Sequence, residues 1–349
     1  MKKTILAMAV PALLAAGSAS ASITLYDADG TSVTMSGAAE VQYRRSGAED
    51  FYDPAKLIDG VAVGGASTGD GQIRVDDGDL ALRITHQEGD NYAFGAIELR
   101  IGEATGGTGS GSGNADVSND GLYVGFGGNW GELSFGRQLA IIDDAGVGVD
   151  YELKDAAGVD FEDTDFDQLI KYRYSGEGYW AGASYNVSQD NAAGANSERL
   201  YELAGGVNVI DSVEVRAYFA DYNNEQSGDA GAKQTAWDLE VAYNEGPFYA
   251  GILYGQFETK NNAGVKTSDT DVIEIAGSYS IDKSKFGAGA AFNDGQGRIE
   301  STSYYINYGY NLLTNCKLYA EVGYEDVQDA TAAGDWDGVG YVAGIEVKF

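Results

Sequence analysis

The chain has 349 residues and carries 54 acidic side chains against 22 lysines and arginines, which gives a formal net charge of −32 at pH 7. A chain this acidic repels nucleic-acid phosphate, so the composition argues against a DNA- or RNA-binding role. A single cysteine, Cys316, and a single histidine, His86, exclude an intramolecular disulfide framework, a thiolate metal cluster and a histidine-rich zinc site.

The first residues, MKKTILAMAVPALLAAGSASA, have the form of a secretory signal peptide. Two lysines precede an apolar run, and small residues follow it up to Ala21. The apolar run is too short to cross a membrane as a helix. We expect residues 1–21 to be cleaved and residues 22–349 to form one domain that works outside the cytoplasm.

From Thr31 to Phe349 the chain alternates apolar and polar residues with a period of two, the pattern of β-strands. In the first run, TSVTMSGAAEVQYRR, Val33, Val41 and Tyr43 share one face, and polar side chains share the other. We count sixteen such runs. Fifty glycines, 24 tyrosines and only three prolines also suit strands joined by tight turns.

The connections between the runs fall into two classes that alternate along the chain. Short turns are QEGDN, GNWG, SGEG, IDS, NEGP, DKSK and NLLTN, and the longer links include residues 46–72, 103–119 and 139–165. A soluble β-sandwich has no reason to separate its connections in this way, whereas an outer-membrane barrel does. The pattern predicts an all-β fold, a 16-stranded antiparallel transmembrane β-barrel with long extracellular loops and short periplasmic turns. Sixteen strands leave room for a water channel.

Aromatic residues recur near the predicted strand ends, where a membrane barrel places its interfacial girdles. Each one is also simply a good strand former, so their collective placement carries the prediction. The predicted girdle residues are Tyr43, Trp130, Tyr179, Trp180, Trp237, Phe248, Tyr279, Tyr308, Tyr341 and Phe349.

The most acidic segment, residues 141–167, contains ten carboxylates and one lysine. A calcium loop of the EF-hand kind needs a glycine at its sixth position and flanking helices, which DFEDTDFD lacks, although weak divalent binding stays open. A disordered linker would separate two compact domains, whereas the strand pattern continues on both sides of this segment. The third interpretation is the negatively charged lining of a channel.

Over its mature length the chain resembles the general diffusion porins of Gram-negative outer membranes. SITLYDADGTSVTMSG is similar to the porin N-terminus, GNWGELSFGRQ to the hairpin before the constriction loop, and LIKYRY to the strand after it. The terminal Phe349 is similar to the last aromatic residue of such barrels. The resemblance implies that the third long loop, residues 139–165, folds into the barrel and narrows the pore.

The resemblance also implies a charged constriction, with acids on the inward loop and bases on the facing wall. Alternation independently predicts that Arg83, Lys171 and Arg173 point into the lumen. The predicted constriction acids are Asp143, Asp144, Asp150, Glu152 and Asp155, and the predicted wall bases are Arg44, Arg83, Lys171 and Arg173.

The sequence therefore predicts a channel for passive diffusion of small hydrophilic solutes and ions, and the excess of acids predicts a preference for cations. We expect no enzymatic activity, no cofactor, no metal and no nucleic-acid partner. The resemblance implies a homotrimer embedded in outer-membrane lipid and lipopolysaccharide. The alternative from another functional class is a surface adhesin or receptor whose loops bind a ligand and whose barrel is an anchor. A soluble secreted β-protein is the third possibility.

Overall fold

The computed structural model describes residues 22–45, 72–101, 104–105, 117–153, 164–187, 196–226, 233–261, 263–296, 299–329 and 336–349. Regular structure in these ranges is β-sheet, apart from one short 3-10 helix at Ile141–Asp144. No helix in this part of the chain is long and apolar enough to cross a membrane. The predicted signal peptide and Asp155 lie outside the described residues.

The strands follow one another along the chain with antiparallel neighbours. They are β1 (Ser22–Ala28), β2 (Thr31–Arg45), β3 (Gln72–Glu88), β4 (Asn91–Ile101), β5 (Ala104–Thr105), β6 (Val117–Gly128), β7 (Gly131–Leu139), β8 (Asp165–Gly176), β9 (Tyr179–Asn186), β10 (Asn196–Ile210), β11 (Val213–Gln226), β12 (Lys233–Glu245), β13 (Phe248–Lys260), β14 (Lys266–Ile281), β15 (Ser284–Gln296), β16 (Ile299–Leu313), β17 (Cys316–Asp329) and β18 (Trp336–Lys348).

The sheet closes on itself, because β18 pairs with β2 from Lys348 opposite Ala38 onward. The short strand β1 pairs with the first part of β2, where Ser22 lies opposite Ser36, so β1 and β18 share one edge of β2. In the same way β5 continues β4 along β3. β1 and β18 together occupy one position in the barrel, and β4 and β5 together occupy another. The eighteen strands therefore form a barrel of sixteen positions, which is a 16-stranded barrel. The predicted all-β fold, a closed barrel of sixteen antiparallel strands, is confirmed.

The short connections are the turns that the sequence predicts. Each of QEGDN, GNWG, SGEG, IDS, NEGP, DKSK and NLLTN contains the turn between two paired strands, and these turns share one end of the barrel. A further turn joins β1 to β2 at Asp29 and Gly30, whose φ angles are 53° and 76°. Positive φ at both central residues is the geometry of a tight hairpin turn, which favours Asp-Gly.

The two faces of the wall differ sharply in exposure. Leu203 and Ile306 are 61% and 66% exposed, whereas the residues beside them in sequence, Glu202 and Asn307, are 2% and 7% exposed. Because side chains alternate across a strand, the apolar face points outward and the polar face points into the barrel. An apolar exposed surface that continues around the wall is the surface that a lipid bilayer covers.

Most predicted girdle aromatics lie on the outer surface, including Trp130, Tyr179 and Phe248. Trp180 is different, and its assignment to the girdle is wrong. Its indole Nε1 donates to Glu214 at 2.9 Å and its ring lies 5.9 Å from that of Tyr218, inside the barrel. The period-two pattern already opposes Trp180 to Tyr179, so the two adjacent aromatics cannot share a face.

The buried apolar core lies inside the barrel, along one side of the lumen. One cluster contains Ile141, Ile142, Phe166, Leu169 and Leu200, among other residues. Two smaller clusters form around Val147 and around Leu153. All three clusters include residues from the segment that follows β7. The core therefore holds that segment against the wall.

Candidate functional site

The candidate site is the inner segment, which we define as residues 140–153. Its backbone N–H groups at Ile141 and Ile142 donate to Glu202 on β10, at 2.8 and 3.1 Å. At its other end, Glu152 accepts a hydrogen bond from Arg44 on β2 at 3.0 Å. Because β10 to β18 and then β2 are successive strands of the barrel, the inner segment follows the inside of the wall from β10 round to β2.

Four wall glutamates accept hydrogen bonds from the backbone of the inner segment. After Glu202 comes Glu240 on β12, which accepts from Gly146 N–H, and Glu274 on β14 accepts from Val147 N–H at 3.4 Å. Glu321 on β17 accepts from the N–H groups of three successive residues, 151 to 153, at 2.7 to 2.8 Å. The glutamates are at most 2% exposed. Carboxylates buried this deeply require such donors.

Other wall groups bind further polar atoms of the segment's backbone. Tyr305 accepts from Val149 N–H at 2.8 Å, and Asn307 donates to the Val149 carbonyl at 2.8 Å. Tyr249 donates to the Val147 carbonyl at 3.0 Å. Arg216 donates to the Gly146 carbonyl at 2.9 Å and also pairs with Glu240. The wall thus supplies the partners that a neighbouring strand would otherwise give to an extended chain.

Alternate side chains of the segment point in opposite directions. Val147 and Leu153 are 1% and 7% exposed and pack on the wall, while the Tyr151 ring lies 4.6 Å from that of Tyr319. In an extended chain the intervening side chains point the other way. Asp150 therefore points away from the wall, whereas Glu152 lies in the bend at residues 151 and 152 and its carboxylate reaches Arg44 on β2.

Two predicted wall bases meet predicted loop acids. Arg44 pairs with Glu152 at 3.0 Å, and Arg173 on β8 pairs with Asp144 at 2.6 Å. The Arg173 guanidinium also lies 4.5 Å from the ring centre of Trp180. The structure therefore brings acids of the inner segment and bases of the wall together at both ends of the segment.

The other two predicted bases lie on the lumen wall but have different partners. Arg83 pairs with Glu132 on β7 at 2.8 Å and lies 3.6 Å above the ring of Phe94. Lys171 donates from Nζ to the Leu139 carbonyl at 2.7 Å, where the chain leaves β7. Lys171 thus helps to direct the start of the inner segment.

Asp143 accepts a hydrogen bond from Thr164 at 2.8 Å, which joins the two ends of the loop between β7 and β8. Burial, together with the nearby negative charge of Glu321, raises the pKa of Tyr151 to about 12. Within the described residues, no group of three or more His, Cys, Asp or Glu side chains is arranged to hold a metal ion.

The comparisons with known proteins agree with this geometry. The sequence profile of the Gram-negative porins matches residues 6–330. This chain belongs to the Gram-negative porin family. Porin-like protein H of Photobacterium profundum is 33% identical over 367 residues and the match covers both chains completely. Outer membrane protein U of Vibrio parahaemolyticus is 26% identical, with 93% of this chain and 94% of that protein covered.

Solved porin structures share the fold at low identity. In-vitro folded OmpT of Vibrio cholerae superposes with a TM-score of 0.72 at 19% identity, and the match covers 93% of this chain and 99% of OmpT. An anion-selective porin from Comamonas acidovorans gives a TM-score of 0.70 at 19% identity, with 91% and 100% covered. The predicted family and outer-membrane location are confirmed. The porin is a channel for passive diffusion across the outer membrane of a Gram-negative cell.

Sequence reasoning missed the residues that hold the porin's inner segment. Alternation already puts Glu240 and Glu274 on the polar faces of β12 and β14, but it gives no sign that they bind a loop. A detectable signal is the recurrence of a glutamate in the middle of a lumen face, away from the strand ends. In this barrel the inner segment covers such glutamates, so their carboxylates need donors from that segment.

Proposed function

We propose that this porin passes small hydrophilic solutes and ions, with a preference for cations, and that the inner segment forms its selective constriction. The observation that carries the proposal is the position of Asp150 and Glu152. Both acids lie on the inner segment, whose backbone the wall glutamates hold in place, and the Glu152 side chain is partly exposed beside Arg44. Fixed charges on a rigid lining act on every solute that passes.

The electrostatics of the lumen support a cation preference. Arg44 and Arg173 stand beside Glu152 and Asp144, so charges of opposite sign lie close together and create a local field that orients dipolar solutes. Acids outnumber bases over the whole chain by 54 to 22. The fold does not decide the sign of selectivity, since the similar barrel from Comamonas acidovorans is anion-selective. The preference should weaken at high salt, where the Debye length falls to about 3 Å at 1 M.

The double substitution Asp150→Asn with Glu152→Gln tests the assignment. It removes two negative charges from the pore lining and leaves Arg44 without its acidic partner, so we expect the cation preference to fall. Reversal potentials in planar bilayers across a KCl gradient measure it, and circular dichroism checks that the barrel is folded.

The matched control is Glu177→Gln with Asp211→Asn, which removes the same charge from two exposed residues in the short turns. We expect this control to keep the selectivity of the unmodified porin. A folded Asp150→Asn/Glu152→Gln variant with unchanged reversal potential would show that these two acids do not form the filter.

We further propose that the porin assembles as a homotrimer within outer-membrane lipid and lipopolysaccharide. OmpT of Vibrio cholerae, with a TM-score of 0.71 and 19% identity, has been solved in a trimer form. The outer wall of this chain is apolar enough to pack on a second copy as well as on lipid. A trimer gives three equal conductance levels for each insertion into a bilayer, whereas a monomer gives one.

A further inference from the structure

A track of wall glycines lies directly behind the inner segment. Among the described residues, five lumen-facing glycines would, if they carried a Cβ atom, meet a side chain of that segment. The glycines are Gly182, Gly251, Gly287, Gly309 and Gly323, on β9, β13, β15, β16 and β17, and the side chains above them are, in the same order, Ile141, Val147, Val149, Tyr151 and Leu153.

The segment lies as close to the wall as these glycines allow. A Cβ at Gly251 would be 2.6 Å from the Cβ of Val147, and one at Gly323 would be 2.8 Å from the Cβ of Leu153, whereas ordinary contact begins at 3.4 Å. A Cβ at Gly309 would collide with the Tyr151 hydroxyl. A side chain at Gly251 or Gly323 would collide with a Cβ atom, so it requires the backbone of the segment to move.

We propose that these five glycines are positioning residues that set the bore of the pore from behind. The wall-facing side chains alternate with Asp150, so a displacement of the segment away from the wall carries Asp150 and the backbone into the open lumen. The wall glutamates fix the segment along the wall, and the glycine track fixes its depth. This inference concerns pore size and holds whichever ion the pore prefers.

At two glycines the added methyl group has no easy escape. The Cβ of Val147 is bonded directly to the backbone, so Gly251→Ala can be relieved only when the main chain moves inward by about 0.8 Å, the difference between 3.4 and 2.6 Å. The Tyr151 ring packs on the Tyr319 ring at an interplanar angle of 34° with the ring centroids 4.6 Å apart, and the Lys317 ammonium lies 4.6 Å from the centre of the Tyr151 ring. The Tyr151 hydroxyl therefore cannot swing aside without loss of that packing.

The test adds a methyl group to the wall and then removes the atom that it meets. The first pair of variants is Gly309→Ala and Gly309→Ala/Tyr151→Phe, because phenylalanine lacks the colliding hydroxyl. The second pair is Gly182→Ala and Gly182→Ala/Ile141→Val, because valine lacks the Cδ1 atom that would lie 2.7 Å from the new carbon. The control is Gly95→Ala on the outer face, whose Cβ would meet only Val124 at 4.0 Å.

The readouts are single-channel conductance in planar bilayers and the permeation rates of sugars of graded size into liposomes. We expect each single wall variant to lose conductance and to slow the larger sugars first, and each double variant to regain the wild-type values. Gly95→Ala should keep the wild-type conductance, and each double variant is also compared with its own Tyr151→Phe or Ile141→Val background.

Circular dichroism shows which variants form folded barrels. If Gly309→Ala does not fold, the Gly182→Ala pair of variants provides the test. Wild-type conductance and sugar permeation in folded single wall variants would overturn the inference, as would double variants that stay as narrow as the single ones. Reversal potentials report the cation preference separately, so failure of that proposal is distinguishable from failure of this one.

Discussion

The acids of the inner segment differ in their surroundings, although the sequence presents them as one cluster. Glu152 is tied to Arg44, whose side chain is 7% exposed, and Asp144 is tied to Arg173. Asp143 instead accepts from Thr164 and closes the loop on itself. The charge that a passing ion meets is therefore set by each acid together with its partner, and a count of carboxylates overstates it.

Arg44→Gln should change the ion selectivity in the direction opposite to the change expected from Asp150→Asn/Glu152→Gln. The substitution removes the positive charge that offsets Glu152, so we expect a stronger cation preference, measured as a larger reversal potential across a KCl gradient. Arg44→Lys keeps the charge and should stay close to the unmodified porin. An unchanged or smaller reversal potential in folded Arg44→Gln would show that this pair does not contribute to selectivity.

Alternation in the sequence was enough to predict that Arg83, Lys171 and Arg173 lie on the lumen wall, but it could not predict their partners. Arg83 pairs with a wall acid, Glu132, and Lys171 with the Leu139 carbonyl. Partners depend on the register between strands and on the path of the loop. A period-two pattern predicts only the face of the strand on which a side chain lies. It predicts neither the register between strands nor the path of the loop.

At the scale of elements, the inner segment runs without a neighbouring strand from the 3-10 helix at Ile141–Asp144 to a bend at residues 151 and 152. Glutamate carboxylates and a few other wall groups replace the backbone hydrogen bonds that a neighbouring strand would make. Each N–H group that donates to them exchanges a hydrogen bond to water for one to the wall. A charge-assisted hydrogen bond of this kind contributes about 1.5–3 kcal/mol. The wall thus holds the segment by hydrogen bonds to its backbone. Between these hydrogen bonds, apolar side chains of the segment pack on the wall.

Glu321→Gln should loosen the end of the inner segment that carries Glu152. The two carboxylate oxygens of Glu321 together accept three backbone N–H groups and the Asn307 amide, whereas glutamine turns one acceptor into a donor. A loss of about 1.4–2.8 kcal/mol corresponds to exchange that is about 10- to 100-fold faster at residues 151–153. Hydrogen exchange followed by mass spectrometry measures this change.

Glu214→Gln is the matched control for that experiment, because Glu214 also lies on the lumen face but bonds to Trp180. It should leave exchange in the inner segment unchanged. If Glu321→Gln left the exchange at residues 151–153 as slow as in the unmodified porin, the glutamate would not be an anchor.

The strands and turns could be predicted from the sequence because each has a local, repeated signal. The alternation of QTAWDLEVAYN and the turn residues of NEGP specify β12 and its hairpin to β13 without reference to the rest of the chain. The path of residues 140–153 has no such signal, since it depends on Glu202, Glu240 and Glu321, which are 49 or more residues further along the chain. Non-local contacts of this kind appear only once the barrel has closed.

At the scale of the whole molecule, the barrel separates an apolar outer wall from a polar lumen, and one long loop fills part of that lumen. The outer wall accounts for location in the membrane, and the closed ring of sixteen strands accounts for a continuous water path. We propose that the inner segment narrows that path and lines it with acids. The central claim is that these acids make the pore cation-preferring.

The most direct test of this claim is the reversal potential of the unmodified porin in a planar bilayer across a KCl gradient. K⁺ and Cl⁻ diffuse at nearly equal rates in water, so the sign of the potential reports the preference of the pore. We predict stepwise conductance with a potential of the sign set by K⁺ permeation, which becomes smaller as the salt concentration on both sides rises. A potential of the opposite sign, set by Cl⁻ permeation, would contradict the account.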